Sequence, residues 1–125
     1  MRVLDTSIAI DHLRNHRQAT ELLSRLLHDG SQLLASEVTR FELLMGALPK
    51  ELQDLEDFFG ILTFVPVNET IIRVAAELAR RFRRSHSGIG TGDCLIAATA
   101  VVAGAPLLTT NVRHFPMIPG LRTPY

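Results

Sequence analysis

Short apolar runs alternate along the chain with segments whose apolar residues recur at helical spacing. Four such runs, at residues 2–5, 31–36, 63–67 and 106–110, predict strands, and the segments between them predict helices. Parallel strands need a long crossover between them, so this order predicts a short, mostly parallel central sheet with helices on both faces. The fold class is therefore α/β, and the length suits one domain that spans residues 1–125.

The helical segments carry start and stop signals. Ser36 and Asn68 are predicted N-caps, Pro49 lies near the start of a helix, and Gly30 follows the end of one. The predicted helices cover residues 7–13, 20–30, 36–48, 49–62, 68–86 and 93–104. The tail from residue 111 is predicted to hold a turn and one edge strand.

Charge and cysteine content limit the class of protein. The 13 basic and 13 acidic residues balance, so a nucleic-acid partner must be held by a local basic patch. The single cysteine, Cys94, cannot form an intramolecular disulfide, which fits a reducing compartment. Asp5 and Asp11 interrupt any apolar leader, and the weakly polar run at 94–108 is too short to span a membrane. We therefore expect a cytoplasmic protein with no membrane association.

Three carboxylates occupy positions that the fold alone does not require. Asp5 ends the first predicted strand, Asp93 lies in the first turn of an otherwise apolar helix, and Glu42 lies among the apolar residues of TRFELLMGA, at or near a buried face. Taken singly, Asp5 and Asp93 are explained as helix caps and Glu42 as a solvated residue. Taken together, they would repel one another at one sheet edge unless a cation lay between them. Ligands that are all oxygen favour Mg²⁺ or Mn²⁺ over zinc.

Four motifs in order resemble one family. LDTS at residues 4–7, the glutamate of TRFELLMGA, TGDCLIAATA and TTNVRHF resemble the PIN-domain ribonucleases, and among them the VapC-type toxins of type II toxin–antitoxin pairs. The likeness spans nearly the whole chain. It implies a single PIN domain, a three-layer α/β/α sandwich, and Mg²⁺-dependent hydrolysis of RNA phosphodiester bonds, with Mn²⁺ as a substitute. It also implies an RNA substrate, a cognate protein antitoxin and a homodimer.

The resemblance also implies roles for individual residues. Asp5, Glu42 and Asp93 fall on the family's acidic metal-binding positions, Asp5 and Asp93 as direct ligands and Glu42 as a ligand or the group that orients the attacking water. Asn111 stands where the family often has a fourth acid, and it completes the implied catalytic set by offering a carbonyl oxygen or orienting a water. His114 stands where a further acid is common. These two departures favour one firmly held ion, with any second ion recruited by the substrate.

Residues around the acids are predicted to support them or to contact RNA. Ser7 and Thr109 would hydrogen-bond water or the carboxylates. His114 either binds a phosphate or shuttles a proton, or it is a surface histidine beside Phe115. The arginines of RRFRRSH either contact RNA phosphates or form a solubilising helix end that the helix dipole favours. These are Arg80, Arg81, Arg83 and Arg84.

A second interpretation keeps the fold and removes the reaction. Asn111 and His114, in place of acids, are also consistent with a catalytically weak or inactive PIN-like domain that binds RNA or protein. The sequence leaves open which RNA is cut, whether one or two ions bind, and which antitoxin pairs with the chain.

Overall fold

The computed structural model describes residues 1–125. Its strands are β1 (Arg2–Leu4), β2 (Leu33–Ser36), β3 (Thr63–Val65) and β4 (Leu107–Leu108). Its helices are α1 (Thr6–Leu13), α2 (Arg17–His28), α3 (Glu37–Gly46), α4 (Leu52–Phe59), α5 (Glu69–Phe82) and α6 (Thr91–Ala103), with short 3₁₀ helices at Pro49–Glu51 and Val112–His114. None of these helices combines the length and the apolar character needed to cross a bilayer.

The four strands form one sheet in the order β3-β2-β1-β4, and every neighbouring pair is parallel. The predicted α/β class is confirmed, and the sheet is parallel throughout. β1 pairs with β2 on one side and with β4 on the other, with Leu4 opposite Leu108. The residues that follow β1 and β4 therefore emerge side by side at one edge of the sheet.

Each face of the sheet is covered by its own apolar core. Val3 and Leu34 pack in the core that contains residues of α5 and α6, whereas Leu4 and Leu33 pack in the core that contains residues of α1, α2 and α4. Successive side chains of a strand point to opposite faces of a sheet. The alternation within β1 and β2 thus places helices on both sides, which is the three-layer sandwich that the resemblance implied.

Both predicted N-caps are confirmed by their hydrogen bonds. The Ser36 hydroxyl accepts from the Val38 backbone N–H at 3.0 Å, and the Asn68 side chain accepts from the Ile71 N–H at 3.0 Å. Each side chain satisfies an N–H group that the first turn of a helix leaves without a partner. Ser36 also ends β2, so the chain passes from strand to helix without a loop.

Several predicted boundaries are wrong by three or more residues; the helix predicted over 49–62, for example, is a 3₁₀ helix at Pro49–Glu51 followed by α4 at Leu52–Phe59. α2 begins at Arg17, three residues before the predicted start, because His16 acts as its cap and accepts from the Ala19 N–H at 3.4 Å. α5 ends at Phe82 and not at residue 86. There the Ser85 hydroxyl donates to the Phe82 carbonyl at 3.2 Å, a local hydrogen bond that competes with another helical turn.

The predicted edge strand in the tail is also wrong. Beyond residue 110 the only regular element is the 3₁₀ helix Val112–His114. Pro116, Pro119 and Pro124 lack the backbone N–H that a strand needs to pair with a sheet. The tail packs against the body of the domain instead, where Phe115 and Met117 are buried in the same core as α5 and α6.

Candidate active site

The carboxyl ends of β1 and β4 open into a cleft of about 460 Å³, which we call the acidic cleft. It is lined by Asp5, Thr6, Ser7, Ile10, Asp11, Glu42, Asp93, Thr110, Asn111 and His114. Open α/β sheets bind ligands outside the carboxyl ends of their strands. The structure therefore brings the three predicted acids, together with Ser7, Asn111 and His114, to the place where such a fold binds ligands.

Asp5 is a buried carboxylate held by hydroxyl groups. Asp5 is only 4% exposed, and its Oδ2 accepts hydrogen bonds from the Ser7 hydroxyl at 2.8 Å and from the Thr109 hydroxyl at 2.6 Å. Short hydrogen bonds to an ionised acceptor are among the strong ones. The other oxygen, Oδ1, accepts no hydrogen bond from the protein, so its lone pairs remain available to a ligand in the cleft.

Ser7 and Thr109 are each held from a second direction by the chain that follows β4. The Ser7 hydroxyl oxygen accepts from the Thr110 N–H at 3.1 Å, and that of Thr109 accepts from the Asn111 N–H at 2.9 Å. The two hydroxyl oxygens lie 3.3 Å apart. Because both hydroxyls donate to Asp5 and accept from the backbone, they join the loops after β1 and β4 and fix Asp5 between them.

Glu42 reaches the cleft from α3 and is half-buried. Its Oε1 accepts from the Thr6 hydroxyl at 2.8 Å. The predicted apolar surroundings of Glu42 are wrong in one respect, because the neighbouring Phe41 and Met45 are 64% and 69% exposed. Leu43 is the buried apolar residue of this turn. Glu42 is partly buried by its contact with α1, not by an apolar helix face.

Asp93 both caps a helix and lines the cleft. Its Oδ2 accepts from the Gly90 N–H at 2.9 Å, which satisfies the backbone at the start of α6. Burial raises the pKa of Asp93 above its usual value; the Gly90 hydrogen bond and the nearby His114 act in the opposite direction, and the charge of Asp5 adds to the increase. The helix-cap explanation is thus confirmed, and the same carboxylate also lines the cleft.

The donor atoms suit a hard cation, but the carboxylates do not form a ready-made cage. No group of three or more His, Cys, Asp or Glu side chains lies close enough together to hold an ion by itself. The three acids nevertheless come to one edge of the sheet, as expected, where all three line the same cleft. Mg²⁺ is usually held by one or two carboxylates with water and phosphate oxygens completing its shell, and the cleft offers that kind of arrangement.

Asn111 and His114 occupy different parts of the cleft. Asn111 is exposed, and its side chain forms no hydrogen bond within the protein, whereas its backbone supports Thr109. His114 is half-buried, with Nδ1 3.6 Å from Asp93 Oδ2. That distance exceeds a direct hydrogen bond, so the attraction between the two side chains depends on protonation of the imidazole.

The four predicted RNA-binding arginines do not line the acidic cleft. Arg80, Arg81, Arg83 and Arg84 are all exposed, at the end of α5 and in the turn that follows it. The guanidinium of Arg81 lies 5.4 Å from the centre of the Phe82 ring. That they contact RNA phosphates stays a prediction, and such contacts would lie outside the lining of the cleft.

Four cleft residues, Thr6, Ile10, Asp11 and Thr110, are not among the predicted site residues, and the side chains of two of them form hydrogen bonds there. Thr6 binds Glu42, and Asp11 accepts from the Tyr125 hydroxyl at 2.6 Å. A signal for Asp11 was present, because it lies four residues after Ser7 on α1 and so on the same helical face. The partner of Thr6 lies 36 residues away, and no local pattern indicates it.

Comparison with known proteins identifies relatives over the full chain. The family model described as PIN domain matches residues 2–120. The chain is 53% identical to Ribonuclease VapC19 of Mycobacterium tuberculosis, with 100% of both chains covered. It is 39% identical to Ribonuclease VapC10 of the same organism, covering 100% of this chain and 93% of that one.

Solved structures similar to this chain include toxin–antitoxin complexes. The VapBC2 complex of Rickettsia felis, solved bound to a fragment of promoter DNA, matches with a TM-score of 0.82 at 25% identity, covering 98% of this chain and 96% of that one. A toxin–antitoxin complex from Klebsiella pneumoniae matches with a TM-score of 0.80 at 25% identity, covering 100% and 98%.

Proposed function

The chain belongs to the PIN-domain family, and we propose that it is a VapC-type ribonuclease toxin that hydrolyses RNA phosphodiester bonds at the acidic cleft with a divalent cation. The observation that carries this proposal is Asp5, a carboxylate that is 4% exposed yet contacts no cationic side chain. Burying such a charge is costly without a partner. A cation bound in the cleft supplies the partner.

Asp5 and Asp93 are the proposed ligands of a Mg²⁺ ion, which Mn²⁺ can replace, and Glu42 either binds it or orients the attacking water. When bound, the ion polarises the scissile phosphate and lowers the pKa of a coordinated water. Ser7 and Thr109 keep Asp5 in one orientation, and Asn111 offers a carbonyl oxygen to water or ion. With an amide at residue 111, we propose one firmly held ion and a second only when substrate is bound.

The proposed nuclease is tested by incubating total RNA with the purified protein in Mg²⁺, in Mn²⁺ and in EDTA. Asp5→Asn removes a ligand charge, while Asp29→Asn, an exposed residue outside the cleft, is the matched control. We expect discrete fragments with wild type and Asp29→Asn, and none with Asp5→Asn or EDTA. Cleavage that persists in Asp5→Asn, with contaminating nucleases excluded, would contradict the proposed site.

RNA is proposed to contact the exposed arginines of α5 and the turn after it, and His114 in the cleft. Replacing Arg83 and Arg84 by glutamine should weaken RNA binding and reduce its salt dependence, because each lost phosphate contact removes about 0.7 from the log–log salt slope for single strands. The control replaces Arg17 and Arg73 by glutamine, which removes the same amount of positive charge at another part of the surface. Both arginines are exposed and form ion pairs within α2 and α5. An equal effect of both double substitutions would show that only net charge matters.

A cognate antitoxin is the proposed protein partner, since the structural relatives are toxin–antitoxin complexes. Beside the acidic cleft lies a groove of about 240 Å³ that shares Ile10 and Glu42 with it and continues over Leu13, Leu43 and Leu55. An antitoxin peptide with apolar side chains fits this groove, and a basic side chain from it would reach the cleft acids. Such a peptide should inhibit RNA cleavage.

The homodimer is proposed to use the exposed apolar residues of α3 and the segment after it. Phe41, Met45 and Leu48 are each more than half exposed, which is unusual for large apolar side chains so close together. Light scattering at micromolar concentration should report a dimer, and Met45→Glu should convert it to a monomer. Ile72→Glu, at a 48% exposed position on α5, is the control that should leave the dimer intact.

The second candidate, a domain that binds RNA without cutting it, is favoured by Asn111 and His114 in place of acids. Retention of labelled RNA by the folded wild type, with no fragment released in Mg²⁺ or Mn²⁺, would support it. Calorimetric titration of Mg²⁺ into wild type and Asp5→Asn would then show whether the cleft binds a cation at all.

A further inference from the structure

Two threonine hydroxyls lie behind Glu42, and the proposed function assigns neither of them a role. Thr6 Oγ1 lies 2.8 Å from Glu42 Oε1 and 3.0 Å from Thr39 Oγ1. Thr39 is fully buried and Thr6 is 9% exposed. A buried hydroxyl is unfavourable unless it is hydrogen-bonded, and valine would fill the same space. The Thr6 hydroxyl is therefore explained by the carboxylate that it contacts, and the Thr39 hydroxyl by its contact with Thr6.

The contact joins two elements that carry acids. Thr6 follows Asp5 directly and begins α1, while Thr39 lies three residues before Glu42 on α3, on the same helical face. The other oxygen of Glu42 lies beside the start of α6, since a Cβ atom on Gly92 would be 3.7 Å from Oε2. One carboxylate oxygen is thus anchored to α1, and the other lies next to the turn that contains Asp93.

The Thr6 hydroxyl has one proton and two acceptors within reach. The ionised carboxylate of Glu42 is the stronger acceptor and also the nearer one, so this bond determines where Glu42 Oε1 lies. Thr39 lies on the buried side of Thr6 and limits where the Thr6 oxygen can lie. Glutamate has several rotatable bonds, and the hydroxyl contact selects one arrangement among them.

We propose that Thr6, supported by Thr39, is a positioning residue that fixes the Glu42 carboxylate relative to Asp5 in the acidic cleft. This inference rests on the proposed ribonuclease function for its catalytic consequence. Its structural part, the placement of Glu42, stands apart from any reaction. Both threonines act through Glu42 in this proposal, Thr6 by its hydrogen bond to the carboxylate and Thr39 by its contact with Thr6.

The test compares Thr6→Val, which deletes the hydroxyl, with Thr6→Ser, which keeps it. Thr99→Val is the matched control, since Thr99 is also fully buried but donates only to the Leu95 carbonyl within α6. We expect kcat for RNA cleavage to fall about 10- to 100-fold in Thr6→Val with little change in KM, the size expected for a catalytic group displaced by about 1 Å. Thr6→Ser should restore most of it, and Thr99→Val should match wild type.

Two further measurements separate positioning from general damage. In a Glu42→Gln background, adding Thr6→Val should cause no further loss, because the threonine acts through the carboxylate that is already gone. Crystal structures of metal-free wild type and Thr6→Val should show Glu42 moved from its wild-type position in the variant. Unchanged kcat, additive losses, or an unmoved Glu42 would each overturn the proposal. If wild type cleaves no RNA while Glu42 still moves in Thr6→Val, the proposed function fails and the positioning role stands.

Discussion

The support of Asp5 by Thr109 gives the most quantitative prediction. Thr109 is fully buried, donates to the Asp5 carboxylate at 2.6 Å and accepts from the Asn111 N–H at 2.9 Å. Thr109→Val keeps the shape and removes both interactions. A hydrogen bond to a charged group contributes about 1.5–3 kcal/mol, and the Asn111 N–H, near the surface, adds about 0.5–1 kcal/mol. The expected loss in free energy of unfolding is about 2–4 kcal/mol.

Thermal and chemical unfolding measure this loss. With an unfolding entropy of about 2.1 cal/mol/K per residue, a 125-residue domain loses roughly 4 °C per kcal/mol, so the melting temperature should fall by about 8–15 °C. Thr99→Val is the control, because its hydroxyl bonds a helix carbonyl and its removal should cost no more than about 1 kcal/mol. Thr109→Ser keeps the hydroxyl and should lie much nearer to wild type.

Two results would refute the reasoning. If Thr109→Val loses no more stability than Thr99→Val, the hydroxyl does not support Asp5 by the amount that the short distance indicates. If Thr109→Ser is as unstable as Thr109→Val, the methyl group and its packing are responsible, and the hydrogen bond is not.

Three other substitutions test separate parts of the structure. Burial raises the pKa of Asp93, so its ionised form destabilises the fold. Asp93→Asn should therefore be more stable than wild type at pH 7, and the difference should shrink as pH falls toward 4. Thermal melts in EDTA that show a constant difference would contradict this. Burial lowers the pKa of His12, so wild type should lose stability relative to His12→Gln as pH falls through 6.5, which paired melts from pH 7 to 5 would detect. Asn68→Ala should cost about 1 kcal/mol in urea unfolding through loss of the α5 cap, and Asn68→Ser should not.

Local sequence signals were enough to predict the sheet, the helix caps and the edge at which the site lies. The apolar runs around Leu4 and Leu108 predict parallel strands, and parallel strands bring Asp5 and Thr109 to the same edge. Ser36 and Asn68 are caps because their side chains bond N–H groups two or three residues away. Each of these inferences depends on neighbours in the chain or on a rule common to all sheets of this class.

The parts that sequence did not predict depend on contacts between distant segments. Nothing near Thr6 indicates that its hydroxyl meets Glu42, 36 residues away, and nothing near Asp11 indicates Tyr125. The spacing between the three carboxylates depends on side-chain rotamers after the helices have packed, so convergence at one edge was predictable and a closed cluster was not.

Two of the cleft acids, Asp5 and Glu42, are oriented by groups that do not neutralise them. Asp5 and Glu42 accept from hydroxyls and pair with no arginine or lysine, whereas Glu37 on the outer surface is paired with Arg40 at 2.8 Å. An arginine in the cleft would hold a carboxylate equally well, but it would occupy the oxygens and cancel the charge that attracts a cation. Hydroxyl donors fix the orientation of the carboxylate and leave its negative charge in place. Burying such carboxylates is costly to the fold, and under the proposed function a bound cation reduces this cost. Melting temperature should therefore rise with Mg²⁺ or Mn²⁺ in wild type and not in Asp5→Asn; an equal rise in both proteins would place the ion elsewhere.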